Sequence, residues 1–84
     1  MKVTIFRERQ LTIPDEMVRA YEVAVKPFTP EVAEYLAVSS DCSPDSSTEE
    51  LRDGIISGIR EEIYVYTHHN EILEKAADTG VFKN

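Results

Sequence analysis

Eighty-four residues, 42% hydrophobic and 30% charged, suffice for one small core, so residues 1–84 read as a single compact domain. The lone cysteine, Cys42, excludes an intrachain disulfide, and no apolar run reaches the ~18 residues of a membrane span or forms a signal segment, which leads us to expect a cytoplasmic chain. The net charge of −7 is uneven: residues 1–26 hold five bases and four acids, residues 27–63 two bases and nine acids, and residues 64–84 two bases and three acids.

In chain order, "KVTIF" (residues 2–6) is β-rich, with Val3 and Ile5 on one face and Thr4 and Phe6 on the other. "QLTI" (10–13) pairs with it if the chain turns at Arg7 to Arg9, although neither Gly nor Asn marks that turn. Residues 13–26 fit a helix with Met17, Val18, Tyr21, Ala24 and Val25 in one stripe. A Thr12-x-x-Asp15 cap, Pro14 in the first turn, and Asp15/Arg19 and Glu22/Lys26 pairs favour that helix. The rival is a hairpin turning at Pro14-Asp15, which puts Met17, Arg19, Tyr21, Val23 and Val25 on one strand face.

A second helix starts at Thr29 as cap and Pro30 as first residue, with Val32, Ala33, Leu36 and Ala37 on its apolar face. "SSDCSPDSS" (39–47) is a polar loop. A capping box at Ser47-x-x-Glu50 then opens a long helix whose stripe is Leu51, Ile55, Ile59, Ile63 and Tyr66, with Ile56 beside it. Gly54 and Gly58 are four apart, and solvent exposure is the expectation for them over a close helix approach. "IYVYT" (63–67) fits a strand by propensity and a continued helix by position. "NEILEKAADTG" reads as a last helix stopped by Gly80, with Val81 and Phe82 packing back on it. The fold class is therefore α+β or mainly α: a short N-terminal strand or hairpin followed by three to four helices.

No constellation supports catalysis or a cofactor, and neither is expected. An EF-hand register ending at Glu50 places Ser39 and Pro44 where Asp and Gly are needed, and one starting at Asp41 ends on Arg52. His68 and His69, adjacent on a helix, point about 100° apart and do not clamp one ion. The three glycines are scattered, so there is no phosphate loop. Serines cluster at 39, 40, 43, 46 and 47 and histidines occur elsewhere, but a chain of 84 residues has little room for the water-excluding pocket a hydrolase needs. Tyr21, Tyr35, Tyr64 and Tyr66 suit interface anchors and core rims equally.

"LTIPDEMVRAYEVAV" resembles the strand-then-helix of ribbon-helix-helix regulators, and "SSTEELRDGIISGIREEI" resembles their capped second helix. That resemblance implies a homodimeric DNA-binding repressor or antitoxin. Three features depart from it. The connection from Lys26 to Ser46 is long, the middle of the chain is acidic, and strand parity leaves Glu8, Gln10 and Thr12 to face a groove while Arg7 and Arg9 share the face of Leu11 and Ile13.

The charge distribution leads instead to a small acidic regulator or inhibitor acting by protein–protein binding. Its carboxylates repel phosphate and attract a basic partner surface, such as the nucleic-acid channel of another protein. Small acidic phage antagonists are an analogy in size and charge. A structural subunit without separable activity is a third reading. Partner-binding residues are expected at Asp41, Asp45, Glu49, Glu50, Asp53, Glu61 and Glu62, within an acidic set that also includes Glu31 and Glu34. No direct nucleic-acid contact and no membrane contact are expected, and homodimerisation would enlarge a small core.

Overall fold

Two short strands, β1 (Lys2–Ile5) and β2 (Arg9–Thr12), pair antiparallel with Val3 opposite Leu11 and Ile5 opposite Arg9. This computed structural model describes residues 1–69; the helix expected to stop at Gly80, and the packing of Val81 and Phe82, lie outside the described residues. Alternation sends Val3, Ile5, Leu11 and Ile13 into the core and leaves Thr4, Gln10 and Thr12 in solvent. The turn is made by Phe6, Arg7 and Glu8, with Phe6 at φ 50° and Arg7 at φ 73°. Both residues occupy the left-handed region without being glycine, which is why the sequence carries no Gly or Asn signal there.

Three helices follow among the described residues: α1 (Asp15–Ala24), α2 (Pro30–Ser39) and α3 (Thr48–Thr67). Together with the hairpin they make an α+β fold. The segment after Pro14 is a helix, not the second arm of a hairpin, and it buries Val18 and Tyr21. The Thr12–Asp15 cap does not form. Thr12 is paired in β2, Pro14 occupies the cap position, and no side chain caps α1. Asp15 is engaged instead by the Met1 ammonium at 2.6 Å, the one ion pair among the described residues. The Asp15/Arg19 and Glu22/Lys26 bridges are therefore not made. Glu22 instead accepts the Phe28 backbone N–H at 3.1 Å, bracing the connection between α1 and α2.

α2 starts as its sequence demands. Thr29 Oγ1 accepts the Val32 N–H at 3.2 Å, Pro30 leads the helix, and Ala33, Leu36 and Ala37 are buried. α3 opens with Ser47 Oγ accepting the Glu50 N–H at 3.1 Å and runs through Thr67, so "IYVYT" is helical. Leu51, Ile55 and Ile59 are buried, Ile63 is half-buried, and Tyr66 is exposed. The stripe leaves the core because α3 has twenty residues and α2 only ten, roughly 30 Å against 15 Å of helix.

Gly54 and Gly58 mark a close approach and not a solvent face. A Cβ on Gly58 would lie 3.1 Å from Leu36 Cβ, and one on Gly54 would lie 2.7 Å from Cys42 Sγ. The approach is tied down where Ser40 Oγ donates to the Gly54 carbonyl at 2.9 Å. Arg9 extends from the start of β2 to donate to the Pro44 carbonyl at 2.7 Å and to Thr48 Oγ1 at 3.3 Å, fastening the hairpin to the entry of α3.

Candidate functional site

The seven expected partner-binding acids fall into two groups along the chain, five at the start of α3 and in the loop before it and two further along the helix. Asp41 and Asp45 sit in the loop before α3, Glu49 and Glu50 in its first turn, and Asp53 one turn on; all five are exposed. The loop is held by its own bonds: the Ser43 N–H donates to Ser46 Oγ at 2.9 Å and the Cys42 N–H to the Ala37 carbonyl at 3.0 Å. Asp41 takes φ 63°, a left-handed conformation that aspartate tolerates better than most residues. Asp41 and Glu50 both bear on Cys42, whose thiol is pushed above its ordinary value first by burial and then by these two carboxylates. Cys42 is thus a partly buried packing residue over Gly54.

Glu61 and Glu62 lie about 12 Å further along α3 than Asp53 and form a separate pair. They line a groove of about 260 Å³ between α2 and α3, whose other walls are Tyr35, Leu36, Ser39, Ser40, Gly58, Val65 and Tyr66. Gly58 lies at the floor of this groove, where Leu36 packs closely against the α3 backbone. Glu62 is half-buried, and its Oε2 accepts the Tyr21 hydroxyl at 2.9 Å. Tyr21 itself is fully buried, edge-on to Phe28 with ring centroids 5.7 Å apart. Its phenol is held above the ordinary value of 10.0, first by burial and then by the Glu62 carboxylate.

The four tyrosines therefore separate by role. Tyr21 belongs to the core, whereas Tyr35, Tyr64 and Tyr66 are exposed, Tyr35 by 60% and Tyr66 by 53%. Val38 and Val65 are exposed beside them. Tyr35 and Val38 also line a second hollow on the outer side of α2 with Glu31 and Glu34. The tyrosines are visible one by one in the sequence, but this combination of tyrosine, valine and carboxylate is not. Its signal lies in Tyr35, Val38 and Val65, which fall off the apolar stripes of α2 and α3.

His68 ends α3 against Tyr64. Its ring stacks on Tyr64 at 4.2 Å, and its Nδ1 lies 2.9 Å from the Tyr64 carbonyl, finishing α3. Among the described residues no three His, Cys, Asp or Glu side chains gather as a metal site. No described helix is long and apolar enough to cross a membrane. No family model, no curated protein and no solved structure matches this chain.

Proposed function

We propose that this chain is a small acidic regulator or inhibitor that acts by binding a protein with a basic surface, without a catalytic step or cofactor. The observation that carries this reading is the unspent charge of residues 27–63. They hold nine acids and two bases, yet the one ion pair among the described residues, Met1 with Asp15, lies outside that segment. Carboxylates left in solvent at Asp41, Asp45, Glu49, Glu50 and Asp53 produce a field that attracts cationic surfaces and repels phosphate. A nucleic-acid channel on another protein has the required sign, and small acidic phage antagonists supply the analogy in size and charge.

The test begins with capture from cell extract at low and high salt, to identify a partner released by salt. Surface plasmon resonance across a salt series then follows. Association slows as salt rises, and reversing Asp45, Glu49 and Asp53 to lysine lowers the on-rate more than it raises the off-rate. An on-rate indifferent to salt and to the triple reversal sinks the proposal.

A homodimeric repressor or antitoxin of ribbon-helix-helix type is the second reading, favoured by Gln10 and Thr12 standing exposed on the outer face of β2. Arg9 weighs against it, because its guanidinium is already bonded to Pro44 and Thr48. Submicromolar duplex binding lost on Gln10→Ala would select this second reading.

A further inference from the structure

We infer that the groove between α2 and α3 receives an arginine side chain of the basic partner, an assignment that rests on the function proposed above. Glu62 supplies the first reason. It is a half-buried carboxylate whose one hydrogen bond comes from the neutral Tyr21 hydroxyl, with no cation beside it among the described residues. A partly desolvated anion in that state gains most from an incoming cation. Tyr21 also fixes the carboxylate in place, so little rotamer freedom is lost when a ligand arrives.

The walls supply the second reason. Exposed Tyr35 and Tyr66 offer aromatic rings, exposed Val65 offers apolar contact for a methylene stem, and Glu61 adds a second carboxylate. Planar guanidinium stacks on aromatic faces and bonds carboxylates through two N–H groups at once, and it is more weakly hydrated than ammonium, so this chemistry selects arginine over lysine. At about 260 Å³ the groove falls below the ~300–1,000 Å³ of small-molecule pockets and suits one long side chain. A second copy of this chain is the poorer occupant. Two such grooves facing each other would bring Glu61 and Glu62 of both copies together without a counter-charge.

The experiment is an amide NMR titration of the full chain with N-acetyl-arginine methylamide, and with its neutral citrulline counterpart as control. The arginine probe gives saturable shifts at Tyr35, Gly58, Glu61 and Tyr66, and the citrulline probe binds at least about tenfold more weakly. Glu61→Gln, an exposed change that spares the fold, weakens the arginine probe about tenfold, and Tyr35→Ala weakens it about two- to fivefold. The Asp45, Glu49 and Asp53 reversal leaves it unchanged.

Shifts that never saturate, shifts confined to residues 41–53, or equal binding of citrulline overturn the assignment. So do groove shifts that appear with protein concentration alone, which would identify a second copy as the occupant. If the probe ignores the groove while partner association keeps its dependence on salt and on the triple reversal, this inference falls and the proposed function stands. If the probe occupies the groove and association lacks both dependences, the acidic-steering reading falls instead.

Discussion

At Gly58 the absent side chain is what permits the contact. A methyl group there would meet Leu36 Cβ at 3.1 Å and Leu36 Cδ2 at 3.0 Å. The Cδ2 can rotate away, but the Cβ is fixed to the α2 backbone. Gly58→Ala gains about 1 kcal/mol of helix propensity and loses about 1–3 kcal/mol to overpacking, for a net loss of up to about 2 kcal/mol in urea denaturation. A stabilised variant would mean that α2 and α3 part freely. The sequence could not disclose this, because glycine in a helix looks the same whether it faces water or another helix. Tyr21 makes a second prediction. Its phenol stays protonated in the folded state above pH 10.0, where an unfolded tyrosine ionises, so unfolding releases a proton there. Stability from this group is complete below that pH and falls as pH rises above it. Denaturation from about pH 8 to 11 should show a weaker alkaline decline in Tyr21→Phe than in the parent chain; equal slopes would refute the assignment.

Along α3, burial decays while the periodicity persists. Leu51, Ile55 and Ile59 are enclosed, Ile63 is partly covered and Tyr66 stands in solvent, although all five share one stripe. Ile59→Ala should cost about 2–5 kcal/mol. Tyr66→Ala should stay within about 0.5 kcal/mol, and thermal melts of the two variants check the contrast. Periodicity reads which face of a helix is apolar, but not how far the neighbouring helix extends, so the end of the core was not legible. Helix starts were legible where the cap lies in a loop: Thr29 and Ser47 both accept the expected backbone N–H. Thr12 was misread because strand pairing with Lys2 claimed it first. Of the candidate site, the acids and tyrosines were visible one by one. Their division into an exposed end and a tyrosine-lined groove depends on which residues α2 and α3 bring together.

For the molecule as a whole, the exposed acids of residues 41–53 lie outside the packed core, which is built from the hairpin and the inner faces of the three helices. Reversal of Asp45, Glu49 and Asp53 should therefore leave the circular dichroism spectrum unchanged. The melting temperature should fall only by the loss of acids near the α3 N-terminus, about 0.3–1 kcal/mol each. Collapse of the helical signal would show that these acids hold the fold. The turn at Phe6 and Arg7 has a different reach. Two consecutive left-handed non-glycine residues cost roughly 1–2 kcal/mol each, and they join strands of only four residues. A two-stranded ribbon of that kind is marginal on its own, so β1 and β2 gain their pairing from the α2 and α3 surfaces they rest on. The expected order of folding is that helices α2 and α3 meet first and the hairpin closes after the rate-limiting barrier. In stopped-flow kinetics Leu11→Ala should speed unfolding and leave refolding nearly unchanged, whereas Ile55→Ala should slow refolding. Equal slowing by both would place the hairpin in the folding nucleus despite its turn.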